Sequence, residues 1–144
     1  MTVTKQISRP LSFTLFAFVL VARVASAAPC TIATSACTEW LTVAGGPSRA
    51  LIYRTYPTAT RNDAITRALI VVHGSARDPD NYFRSALAAA FLSGALDDTL
   101  VIAPRFAANN AGTTCQDAIA PNELNWYCEP HPEDWRYGGT AVGH

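Results

Sequence analysis

The chain has 144 residues, and its 11 basic and 11 acidic side chains give a formal charge of zero. That length bounds one small domain or part of a larger one. Without a basic excess or a cationic run there is no electrostatic footprint for nucleic acid.

The first predicted element is a secretory leader over residues 1–27. Lys5 and Arg9 give it a positive start, "LSFTLFAFVLVA" (11–22) is its apolar run, and Ala25-Ser26-Ala27 is a small-residue cleavage pattern. A membrane-spanning helix needs about 20 apolar residues, and this run has 12. Cleavage, with no stable membrane insertion afterwards, is therefore expected. Pro29 next to Cys30 argues against a lipid anchor. Cleavage removes Lys5, Arg9 and Arg23, which leaves 8 arginines against 11 acidic residues, a charge of −3. Cys30, Cys37, Cys115 and Cys128 all lie beyond the leader. An even cysteine count in an exported chain suggests disulfides. Three pairings are open, and closeness in sequence favours Cys30–Cys37 and Cys115–Cys128. The expected location is secreted or periplasmic.

After a small, polar start at 28–40, "WLTVAG" (40–45) and "SRALIYRTYP" (48–57) flank Gly45-Gly46-Pro47. They predict an antiparallel hairpin. Residues 58–66 read as a loop. "RALIVVHG" (67–74) is apolar without alternation from Ala68 to Val72, which predicts a strand buried on both faces. Asp78-Pro79 then starts a helix over 81–96, with Tyr82, Leu87, Phe91 and Leu96 at helical spacing. "DDTLVIAPRF" (97–106) carries a second buried strand, Leu100 to Ala103. Strand, helix and strand make a βαβ unit, so the fold class is α/β. From 107 to 144, Gly, Pro and Asn are scattered without a long apolar run. That segment reads as a long loop, uncommon in a compact domain unless it is functional or belongs to something larger.

His73-Gly74 ends the first buried strand. Ligands of open α/β sheets bind beyond the carboxyl ends of the strands. A glycine there lets the backbone approach a ligand closely, and the next N–H groups can hold an oxygen on which charge develops. The plainer reading is a tight turn with a satisfied histidine.

The ordered set of hairpin, strand ending His-Gly, helix and strand ending Ala-Pro-x-Phe resembles the first half of an α/β-hydrolase. "HGSARDPDNYF" (73–83) resembles the turn of secreted microbial serine esterase-like members, and "EDWRYGG" (133–139) the loop before their next helix. The resemblance covers roughly residues 40–140. It implies an incomplete α/β-hydrolase sheet: the hairpin plus one βαβ unit, followed by a long loop. It implies that the Ser75 N–H belongs to an oxyanion hole, that Gly74 makes room for it, and that His73 is a turn residue and not the catalytic histidine. Arg77 and Asp78 would brace the turn as an ion pair. The activity implied is acyl transfer from a small-molecule or polymer ester to water.

The family's nucleophile stands in G-x-S-x-G, with the triad in the order Ser, Asp or Glu, His, and the chain contains no such motif. Ser75 lacks the second glycine of an elbow, and His131 and His144 are the only bases left to serve it. The terminal "TAVGH" resembles the start of an elbow but has no strand and helix before it. Residues 28–144 are thus expected to be the N-terminal portion of a hydrolase domain, inactive alone. Its strands at 68–72 and 100–103 would lack neighbours. The rival reading is a small, disulfide-tied binding module. Trp126, Tyr127, Trp135 and Tyr137 could line a substrate entrance or cover the sheet edge. Cys128, His131, Glu133 and Asp134 do not complete a metal site at known spacing. Nothing calls for a metal or an organic cofactor.

Overall fold

The computed structural model describes residues 27–143. The expected leader lies outside the described residues except for Ala27. Strands β1 (Thr38–Thr42) and β2 (Arg49–Arg54) form the expected antiparallel hairpin. Its turn is closed by the Val43 N–H to Ser48 O bond (2.8 Å) and the Gly46 N–H to Val43 O bond (2.9 Å). Gly45 and Gly46 have φ of 84° and 87°, backbone that glycine adopts without steric cost. Across the hairpin the Arg49 guanidinium lies 4.1 Å from the Trp40 ring centre.

β3 (Arg67–Ile70), α1 (Pro79–Leu92) and β4 (Thr99–Pro104) follow. β3 and β4 pair in parallel, and β4 pairs antiparallel with β2, so the order is β1-β2-β4-β3. The result is a four-stranded mixed sheet with one helix, an α/β arrangement. Two expectations need correction. β4 does not lack neighbours, because it sits between β2 and β3. β3 is not buried on both faces, because it is the edge strand and α1 packs on β4 and β2. Leu69, Ile70 and Val72 are 39%, 64% and 43% exposed. A continuous apolar run thus marked an edge that the described residues leave open.

The helix begins where Asp78-Pro79 predicted, with Pro79 at its first turn and the Asn81 N–H on Asp78 O (3.1 Å). It stops earlier than expected. Gly94, at φ 68°, ends it, and Ala95 and Gly94 donate back to Ala90 O and Phe91 O, the Schellman pattern. The buried stripe is Phe83, Ala86, Leu87 and Ala90. Of the expected stripe only Leu87 belongs to it, and Phe91 is 70% exposed. Small side chains let the helix approach the sheet, so alanines face inward. Phe83 fills the centre with Val101, Ala103 and Cys37, and Tyr53 tilts against it at 5.6 Å.

Residues 107–143 form the expected loop, whose only regular piece is a 3₁₀ turn at Trp135–Tyr137. It is nevertheless anchored. Isolated bridges join Arg49 to Glu123, Asn109 to Gln116 and Trp126 to Ala141. Glu123 is buried, accepts from Ala120 N–H (2.9 Å) and pairs with Arg105 (3.2 Å). The disulfides are Cys30–Cys37 and Cys115–Cys128, as sequence proximity favoured.

Candidate functional site

The site forms where β3 gives way to α1. Parallel pairing continues one residue past β3, through the Val71 N–H to Ile102 O bond (2.9 Å). The chain then turns inward, and His73 is only 2% exposed. Its Nε2 accepts from the Phe106 N–H (3.0 Å), and its Nδ1 lies 2.8 Å from Gly74 O. Those partners put the proton on Nδ1 of a neutral ring. Burial is the main cause of a lowered His73 pKa, opposed by the Gly74 bond and by Asp78 and Asp117. His73 is a satisfied turn residue that ties the end of β3 to the chain leaving β4.

Gly74 to Arg77 make a turn closed by the Arg77 N–H to Gly74 O bond (3.1 Å). A side chain at Gly74 would meet Tyr82 Oη at 3.4 Å, ordinary contact. Internal packing therefore does not demand glycine there. Ser75 is exposed, and its carbonyl accepts from Arg77 Nη1 (2.9 Å). The expected Arg77–Asp78 pair does not form. Arg77, at φ 53°, instead donates through Nε to Asp117 Oδ2 (2.7 Å). Asp117 Oδ2 also accepts from the Ala108 N–H (2.9 Å). Arg77 therefore braces the turn against the terminal loop. Asp78 faces the helix, where Asn81 Nδ2 donates to its Oδ2 (3.0 Å), and its buried Oδ1 has no hydrogen-bond partner.

Aromatic rings close over this turn. Trp135 stacks on Phe106 at 4.6 Å and meets His73 edge-on at 5.3 Å. Trp126 tilts against Phe106 at 5.0 Å. Tyr127 stacks on His131 at 4.1 Å, and His131 Nδ1 accepts from the Glu133 N–H (3.0 Å). The supposed entrance residues part company. Tyr127 and Trp135 line a cleft with Ser75 and Arg77 that is no larger than a single water. Trp126 lines a separate cleft of about 490 Å³ between the hairpin turn and the terminal loop, with Val43, Pro47, Leu124 and Ala141. Tyr137 is 72% exposed and lies in neither.

The terminal loop is held by charge. Buried Asp134 accepts from the Arg136 N–H (3.0 Å) and from its guanidinium (2.9 Å), and Arg136 also reaches Glu129 (2.8 Å). Burial pushes the Asp134 pKa up, but the Arg136 hydrogen bonds outweigh it and the net direction is down. Cys128 is committed to its disulfide, and no group of three metal-ligating side chains occurs among the described residues. Among them, too, no helix is long and apolar enough to cross a membrane. Sequence reasoning missed Asp117 and the Asp134–Arg136 pair as loop anchors. Asp117 has no spacing signal, since the fold brings Arg77 to it from 40 residues away. Asp134 has one, an aspartate capping the Trp135–Tyr137 turn with Arg136 two residues on. No family model, curated protein or solved structure matches the chain.

Proposed function

We propose that the chain is the N-terminal portion of a secreted, esterase-like α/β-hydrolase. In it the Ser75 N–H is one donor to the oxyanion of an acyl-transfer intermediate, and the serine nucleophile lies beyond His144. The observation that carries this reading is the His73-Gly74-Ser75 turn. It joins β3 to α1 in a sheet of one hairpin and one βαβ unit, and an N–H of the loop between the third strand and first helix serves the oxyanion hole of that family. Two disulfides suit an oxidising compartment. Gly74 is compatible with this reading, because a side chain there would make only ordinary contact with Tyr82 and its absence leaves the backbone open to a ligand.

The test is to sequence past the codon for His144 and express the whole product. An open frame with G-x-S-x-G and hydrolysis of nitrophenyl esters is expected. In that product Gly74→Ala, which crowds the oxygen but keeps the Ser75 N–H, should leave stability within about 0.5 kcal/mol and lower kcat. Ser75→Pro, which removes the donor, should lower it by about 10²–10³-fold. A stop codon after His144 would end the enzyme reading. Unchanged kcat in Gly74→Ala would end the role given to Gly74, and unchanged kcat in Ser75→Pro, which removes the N–H, would end the oxyanion assignment.

The second reading, a disulfide-tied binding module, is favoured by one observation: the terminal loop is already anchored and leaves only a water-sized space at Ser75.

A further inference from the structure

His73 makes two hydrogen bonds of opposite sense, and only a neutral imidazole can make both. Nε2 takes the Phe106 N–H, and the Nδ1 proton goes to Gly74 O. An imidazolium has two donors and no acceptor, so its second N–H would confront the Phe106 N–H directly. The same ring supports the cover. Phe106 and Trp135 both meet His73 edge-on, at 5.6 Å and 5.3 Å, and stack on each other. We propose that His73 is an acid-operated latch, whose protonation releases Phe106 and Trp135 from the carboxyl end of the sheet and widens the cleft beside Ser75.

The charges around the ring oppose one another. On the β3–α1 turn, Asp78 favours the imidazolium and Arg77 disfavours it. From the segment after β4, Asp117 favours it. Asp117 is engaged by Arg77, and beside Trp135 the Asp134 carboxylate is engaged by Arg136. Burial is the largest influence and keeps the native ring neutral. The sign follows. The native pKa lies below the unfolded value of about 6.5, so the closed state is fully stable above that pH. Its stability falls as pH drops through about 6.5 toward the lower native pKa, and changes no further through this group below it. The latch needs only the geometry around His73 and does not rest on the hydrolase reading.

The test follows the protein as expressed from pH 8 to about pH 4.5 by near-ultraviolet circular dichroism and NMR. The expected result is a reversible transition below pH 6.5 in the Trp135 indole and Phe106 amide signals, with at least a tenfold loss of hydrogen-exchange protection at Phe106. His73→Gln offers Phe106 a carbonyl that cannot titrate, so the transition should vanish. His131→Gln should leave it in place. Unchanged Phe106 and Trp135 signals across that range, or a transition that survives in His73→Gln or disappears in His131→Gln, would overturn the latch. Should His73→Gln fail to fold, the wild-type titration still decides. The His73 ring and the Phe106 amide must share one midpoint, and separate midpoints would overturn the proposal.

Discussion

Thr55 does with a hydroxyl what strand residues do with their backbones. It is buried just past β2, where its Oγ1 accepts from the Val101 N–H (2.9 Å) and donates to Thr99 O (3.1 Å). Its own N–H goes to Val101 O (3.1 Å). Thr55→Val keeps the shape but orphans two backbone groups of β4. Urea denaturation should show a loss of about 1–3 kcal/mol, the cost of buried groups left unpaired. At this scale the sequence was legible where geometry is local. His73 at a strand end and Pro79 after Asp78 could be read directly, because turn and helix-start chemistry acts over a few residues. Thr55 and Asp117 could not, since their partners are decided by tertiary approach. Asp134, whose partner Arg136 stands two residues on, was a local signal that was missed. Arg77 is instructive. Its neighbour Asp78 was the obvious partner, yet the left-handed backbone at Arg77 sends the guanidinium to a carboxylate 40 residues away.

Among the elements, the hairpin and the βαβ unit were legible because each announces itself with a turn signal or a helix start. The inward face of α1 was not, because large apolar residues were taken to point inward. The helix instead buries Ala86 and Ala90 and leaves Phe91 and Leu92 outside. Close approach to β4 decides that choice, and periodicity of bulky residues cannot reveal it. The terminal loop was rightly read as lacking strands and helices, but its anchoring was invisible. One anchor is steric. A side chain at Gly139 would sit 1.9 Å from Glu133 O, inside the turn built on Asp134. Gly139→Ala must open that turn, and a loss of about 1–3 kcal/mol is expected. Limited proteolysis should detect it first, as faster cleavage between 129 and 143 while the sheet stays intact. Equal cleavage rates in wild type and variant would show that the turn absorbs the methyl group.

For the whole molecule, the disulfides are local. Each closes a short span, 7 and 13 residues of separation, and neither joins the terminal loop to the sheet. Past the single chain connection after β4, noncovalent contacts hold the loop to the sheet: the Arg77–Asp117 and Arg105–Glu123 pairs, the bridge from Arg49 to Glu123, and the aromatic cover over His73. The edge at β3 has a different consequence, for behaviour at high protein concentration. Among the described residues its outer backbone edge is unpaired and runs beside apolar side chains, and the one charge on it, Arg67 at its start, is paired with Asp98. Natural sheets blunt such edges with charge because bare ones grow by adding strands. Colloidal stability should therefore be limited by β3 rather than by net charge. Ile70→Lys, at an exposed position, should change folding free energy by no more than about 0.5 kcal/mol yet suppress light scattering as the protein is concentrated. Scattering that rises equally in wild type and variant would locate the sticky surface elsewhere.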